Sequence, residues 1–210
     1  MGKDVPFSVE AVKDQSRVDD VAVEEHESDD ALMVRVGQGD QNAYRDLVER
    51  YLGRIVAFSG RVLGDRTGAE DVAQDVFLRV WQYANRWRPQ GTARLTTWLH
   101  RIALNLCLDR LARRRDTPFD DIAEPLDPRP STERLLHEQE LGIHVARALQ
   151  DLPDSQRIAI SLCHYQGVRN KEAAEIMEIS VEALESLLAR GRRTLRERLA
   201  HLAPSLRGDD

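Results

Sequence analysis

Only three residues, Glu178-Ile179-Ser180, separate a helical stretch from Asn170 to Met177 from a longer one that runs to Arg198. Two helices joined by so short a turn must cross steeply, which is the helix-turn-helix arrangement. The second helix of such a unit normally enters the DNA major groove. Here it ends in five arginines and no lysine (Arg190, Arg192, Arg193, Arg196 and Arg198).

The rest of the chain also reads as helix. The apolar positions Ala43, Leu47, Leu52, Ile55, Val56 and Val62 recur near a 3.6-residue period. Asp40 is placed to cap that helix and Gly64 to stop it. A shorter helix precedes it from Asp30 to Val36, ended by Gly37-Gln-Gly39. Thr67-Gly-Ala-Glu70 matches a capping box, and Val72, Val76, Phe77, Val80 and Trp81 line one face of the helix it would open. Pro89 and Gly91 make a loop of Arg86 to Leu95, after which Thr96 is placed to cap a helix through Arg114. Four prolines among acids between Pro118 and Pro130 mark a linker. Helix resumes at Ser131, and Leu152-Pro153-Asp154 starts another. With no strand pattern, the expected fold is all-α: two small helical domains, 29–115 and 132–203, joined by a flexible linker over 116–131. An acidic, disordered extension over 1–28 and a tail over 204–210 flank them.

A net charge of −6 looks wrong for a DNA binder, but the charge is segregated. Residues 1–30 hold ten acidic and three basic groups, a net of −7, so the other 180 residues carry +1. Residues 86–115 hold eight arginines against the single acid Asp109, the asymmetry that steers a polyanion. Cys107 and Cys163 read as reduced, buried thiols. Neither has metal-ligand spacing to other Cys or His residues, so no metal or cofactor is expected. No nucleophile motif or phosphate-cradling glycine loop points to an enzyme. No apolar run approaches the roughly 20 residues of a membrane span, and no signal peptide opens the chain, so a cytoplasmic protein is expected.

Three segments carry a specific resemblance. Ala69-Glu-Asp-Val-Ala-Gln-Asp-Val-Phe-Leu-Arg-Val-Trp81 resembles region 2.2 of bacterial sigma factors. Thr97-Trp-Leu-His-Arg-Ile-Ala-Leu-Asn105, followed by Asp109 and Arg113-Arg-Arg115, resembles regions 2.3 and 2.4. Leu149-Gln-Asp-Leu-Pro-Asp-Ser-Gln-Arg157 resembles the start of region 4. With nothing between regions 2 and 4 but a linker, the chain is similar to the extracytoplasmic-function group of the sigma-70 family. The family usually has a glycine in the turn where this chain has Glu178, which implies a left-handed residue there at a cost on the order of 1 kcal/mol for a non-glycine.

The resemblance implies roles. Glu70, Asp71, Gln74 and Asp75 form a polar strip that would dock RNA polymerase core; without the resemblance it is a solvated face. Arg86, Trp87, Arg88, Trp98, Arg101, Asn105, Arg113, Arg114 and Arg115 would meet and melt the −10 element. There guanidinium groups hold phosphates and the Trp87 ring stacks a base; the arginines at 113–115 equally suit a solvated helix end. Phe77, Trp81 and Trp98 are read as mostly core. Ser180, Glu182, Glu185, Ser186, Arg190, Arg192 and Arg193 would meet the −35 element. Glu182 or Glu185 could accept from a cytosine amine, or simply complement a helix N-terminus. Expected partners are polymerase core, promoter DNA and an anti-sigma factor, with no membrane insertion. A repressor or activator acting without core polymerase is the alternative; it leaves the loop at 86–95 without a purpose. A sigma mimic that titrates an anti-sigma protein would need a receiver domain for which the chain has no room.

Overall fold

The computed structural model describes residues 27–89, 94–116 and 133–200; side chains at 116 and 133–141 are not described. Residues 1–26 of the acidic extension, most of the linker and the tail therefore lie outside the described residues. Among these the chain is helical throughout, with no strand. The first domain comprises α1 (Asp29–Gly37), α2 (Gln41–Leu63), α3 (Arg66–Tyr83), a 3₁₀ turn (Ala84–Arg86) and α4 (Leu95–Asp116). The second comprises α5 (Glu133–Gln150), α6 (Asp154–Ile160), a π-helical turn (Ser161–Tyr165), α7 (Asn170–Met177) and α8 (Val181–Arg198).

Local chemistry sets most helix ends. Ser28 caps α1 by accepting from the Ala31 amide, and Asp40 caps α2 by accepting from Asn42 and Ala43. Gly64 ends α2 at φ 72°, a left-handed conformation that glycine adopts without steric cost. The capping box expected at Thr67 and Glu70 does not form. The chain leaves Gly64 extended, and the Asp65 carboxylate reaches the Gly68 amide at 3.0 Å, so α3 begins before Thr67. Glu70 instead pairs with Arg66 one turn back at 2.9 Å. Thr96 does not cap α4 either. Leu95 is buried and already helical, and the Trp98 amide donates to the Arg94 carbonyl. Core burial of Leu95 draws the helix start past the polar signal.

The core of the first domain is built where α2 crosses α1, α3 and α4. Leu32, Met33, Leu47, Ile55, Phe58, Val62, Val72, Val76 and Leu99 are all essentially inaccessible. Two residues assigned to apolar stripes lie outside it: Leu52 and Trp81 are each 41% exposed. Tyr51 and Phe58 take the inward positions on α2, because α1 and α4 cover that side of the helix. Trp81 meets Tyr44 edge-on, with ring centroids 5.2 Å apart.

In the second domain Ile158, Ile160, Leu162, Ile176, Leu184 and Leu188 form the core. Helix α8 approaches α6 closely at Gly191, where a Cβ would stand 2.6 Å from Ile160 Cδ1. The turn into α8 runs through Glu178 at φ 55°, the left-handed position that the resemblance implied. Ser180 then caps α8 by accepting from the Ala183 amide at 3.2 Å. The π-helical turn after α6 was not foreseen.

Candidate nucleic-acid interface

The strongest candidate site is a cleft of about 430 Å³ on the first domain, lined by Arg79, Tyr83, Arg86, Trp87, Trp98 and Ile102. Helix α3 supplies Arg79 and Tyr83 one turn apart, the 3₁₀ turn supplies Arg86, and α4 supplies Trp98 and Ile102 one turn apart. The Trp87 and Trp98 rings are tilted at 53° with centroids 5.9 Å apart. The Arg86 guanidinium lies 5.4 Å from the Tyr83 ring centre. Aromatic walls with arginines at the rim can hold a planar base and its phosphate.

Trp87 does not project from a loop mouth as the sequence suggested. Its ring is half-buried, and its indole N–H donates to Asp30 Oδ1 at 2.8 Å. It is thus a fixed wall of the cleft. Trp98 is likewise half-buried rather than fully in the core. Arg79, Tyr83, Ile102 and Asp30 were not singled out for this site. The i, i+4 spacing of Arg79 with Tyr83 and of Trp98 with Ile102 was the available signal, but nothing local sets the two pairs face to face.

The arginines beyond the cleft separate into distinct environments. Arg88 is exposed and lies over the carbonyls of Arg86 and Trp87. Arg113 is exposed near the end of α4, and Asn105 is exposed at its middle. Arg101 is half-buried, its Nη2 donating to the Glu175 carbonyl of α7 at 2.6 Å. Arg114, read as a phosphate contact, is instead half-buried: it donates to the Leu63 carbonyl at 3.2 Å and pairs with Asp65, bracing the α2–α3 turn. Arg115 is exposed and pairs with Asp154.

Of the acidic strip on α3, Asp71 and Gln74 are exposed. Glu70 is engaged by Arg66, and Asp75 by Arg110 at 3.1 Å. The strip continues into Leu78, 55% exposed, and Trp81. Beside it Gln41, Tyr44, Arg45 and Val48 form a shallow groove with Trp81.

On α8, Glu182, Glu185, Ser186, Arg190, Arg192 and Arg193 are all exposed, as is the cap Ser180. The Glu182 carboxyl is held below the ordinary carboxylate range by its own backbone N–H and by the Ser180 hydroxyl, as a helix-terminus acid should be. Glu185 lies 3.5 Å from the Asn170 amide nitrogen. Arg190 and Arg192 fold back along the helix to the carbonyls of Ser186 and Leu188. Burial raises both thiols, Cys107 to about 11, so neither is poised as a thiolate. No cluster of three or more His, Cys, Asp or Glu residues suited to a metal occurs among the described residues.

The two domains coincide with two family matches: sigma-70 region 2 over residues 47–117 and sigma-70 region 4 over residues 144–195. The RNA polymerase sigma-H factor of Pseudomonas aeruginosa is 30% identical over 84% of this chain and 96% of its own length. The ECF RNA polymerase sigma-E factor of Escherichia coli K12 is 32% identical over 80% of this chain and 92% of its own. ECF sigma factor SigE of Mycolicibacterium smegmatis is also 32% identical, but the chain spans only 65% of that longer relative. Among solved structures, CnrH in complex with the cytosolic domain of CnrY matches with a TM-score of 0.63 and 26% identity, covering 83% of this chain and 99% of that one. The fold also matches the sigma factor RpoE bound to the anti-sigma factor NepR from Bartonella quintana, at a TM-score of 0.61 and 22% identity over 75% of this chain and 96% of that one.

The chain belongs to the extracytoplasmic-function group of the sigma-70 family. It is an RNA polymerase sigma factor, a DNA-binding subunit that directs core polymerase to promoters and is not itself an enzyme. No helix among the described residues is long and apolar enough to cross a membrane.

Proposed function

We propose that the factor opens promoters by drawing one base of the −10 element into the cleft between α3 and α4. The observation that carries this reading is the cleft itself. A fixed Trp87 and the Trp98 and Tyr83 rings line an open hollow with ample room for a base, and Arg79 and Arg86 also line it. Extruding a base costs a few kcal/mol, which stacking at about 1–3 kcal/mol per base and phosphate pairing can recover. Arg88, Arg101, Asn105, Arg113 and Arg115 continue the DNA surface along the loop and α4, and Arg114 supports it by bracing the α2–α3 turn.

Asp71 and Gln74, flanked by Glu70, Asp75, Leu78 and Trp81, form the face that receives core polymerase. Exposed acids supply orientation and on-rate. The exposed face of α8 enters the −35 major groove, its arginines holding phosphates while Glu185, steered by Asn170, reaches base edges. Glu182 acts as the helix-terminus charge. A factor with this body works in the cytoplasm on a stress- or signal-responsive regulon, held in check by an anti-sigma factor, as the matched RpoE structure is bound to one.

Run-off transcription with purified core enzyme on a genomic promoter library tests the reading. Discrete start sites with paired −35 and −10 motifs, absent without the factor, are expected. Footprints on duplex DNA without core enzyme, and no start sites with it, would make the protein a conventional helix-turn-helix regulator.

A further inference from the structure

The charged side chains that line the cleft between α3 and α4 can donate hydrogen bonds but cannot accept them. Arg79 and Arg86 present guanidinium groups, which carry N–H donors and no free lone pair. The indoles of Trp87 and Trp98 are donors too, and that of Trp87 is committed to Asp30. Of the lining side chains only the Tyr83 hydroxyl can accept. Among the described residues no carboxylate or side-chain amide lines the hollow, and Asp30 is engaged by Trp87 outside it. The two arginines are not equivalent. Arg86 lies against the Tyr83 ring, 5.4 Å from its centre. Arg79 stands one turn before Tyr83 on α3, is exposed, and has no hydrogen bond or ion pair among the described residues. Its whole fork is open to a ligand.

We propose that the cleft selects a base bearing an exocyclic carbonyl oxygen and rejects adenine, and that Arg79 is the residue that reads that oxygen. The proposal rests on the reading that a −10 base enters this cleft. Adenine is the one DNA base without such an oxygen; its edges offer ring nitrogens and the N6 amine, which is a donor. Guanine offers O6 beside N7, cytosine O2 beside N3, and thymine O4 and O2. An arginine fork gives paired bonds to O6 and N7 of guanine, and an unpaired cytosine presents O2 and N3 to it in the same way. The adenine amine would instead face guanidinium N–H groups, and a polar group that loses water without gaining a partner is costly. The indole walls cannot make this choice, because stacking tolerates every base. Arg86, held against Tyr83, is left for the phosphate, which also only accepts.

The test uses holoenzyme assembled from the full chain and core polymerase, on a promoter found by run-off transcription. The DNA is a fork whose non-template −10 strand is unpaired, so the cost of melting does not enter. Anisotropy reads affinity. An abasic site is placed at each −10 position in turn, and the captured position is the one where its loss and that of Trp87→Ala fail to add. There guanine, cytosine, thymine and hypoxanthine should each bind about tenfold tighter than adenine. Hypoxanthine isolates the chemistry, since it carries an oxygen where adenine carries the amine. Arg79→Ala should bring all five bases level by weakening the four that carry oxygen. Arg79→Lys, a point charge in place of the fork, should keep only part of the preference. Arg86→Ala should weaken all five alike. Arg79 is exposed, so circular dichroism should report an intact fold. Adenine bound as tightly as hypoxanthine would overturn the selection. Equal losses for all five bases in Arg79→Ala would make it a phosphate contact and overturn its role. If no position couples with Trp87→Ala, base capture itself has failed and the selection falls with it; a coupled position without base preference sinks the selection alone.

Discussion

The indole N–H of Trp87 donates to Asp30 at 2.8 Å, tying the segment after α3 to the first turn of α1. This bond places the ring as one wall of the cleft and prevents it from turning out into solvent. Trp87→Ala should remove a stacking surface worth about 1–3 kcal/mol, slowing open-complex formation by roughly five- to a hundredfold while −35 binding stays nearly unchanged. Asp30→Asn, which keeps an acceptor, should have a smaller effect. Permanganate reactivity of the −10 thymines reads both, and normal reactivity in Trp87→Ala would reduce the cleft to a packing feature.

Asp71→Arg with Gln74→Ala should weaken binding to core polymerase by about tenfold, equivalent to about 1.4 kcal/mol. Both side chains are exposed on α3, so circular dichroism should report an intact fold. Fluorescence anisotropy against purified core enzyme is the measurement; an affinity equal to that of the parent would move the docking face elsewhere.

The two charges of α8 should behave differently. Arg192→Ala should weaken promoter binding almost evenly across sequences and reduce the salt slope by about one unit. Glu185→Ala should relax preference at a single −35 position by about 1–3 kcal/mol. Promoter-variant profiling separates the outcomes, and an unaltered −35 preference in Glu185→Ala would leave base reading to its neighbours.

Glu178 holds a left-handed conformation at the turn of the helix-turn-helix. Glu178→Gly should raise stability by roughly 0.5–1 kcal/mol, the steric relief less the added freedom of the unfolded chain. Glu178→Val should lower it. Thermal denaturation checks both, and equal stability of all three proteins would mean that the turn relaxes its strain by moving.

His100 is fully buried between the domains, with Nδ1 2.7 Å from the Thr96 carbonyl. Burial pushes its pKa below the ordinary histidine value of 6.5, outweighing the Thr96 contact. The unfolded chain therefore takes up a proton first as pH falls. Stability from this group is complete above about pH 6.5 and declines below it, by at most about 1.4 kcal/mol per pH unit, until the folded state also protonates. His100→Gln should flatten that decline in urea titrations run between neutral and mildly acidic pH.

The sequence by itself determined the helices and the punctuation between them. Asp40 and Gly64 act within a few residues of their own positions, so their effects were legible without knowing what lies across the core, and the resemblance marked the left-handed turn at Glu178. The motif order from Ala69 to Arg157 likewise identified the family. Tertiary structure decided everything that needed a partner distant in the chain. Asp65 displaced Thr67 as the cap of α3, and burial of Leu95 displaced Thr96 at the start of α4. Tyr51 and Phe58 went inward where Leu52 and Trp81 stayed exposed, because helical period defines a face but not which neighbour covers it. The cleft needed α3 and α4 brought side by side, and the engagement of Arg101 by α7 needed the two domains to dock. Capping free energies are settled within one turn of helix, whereas burial and bonding across 50 to 100 residues exist only once the whole chain has closed.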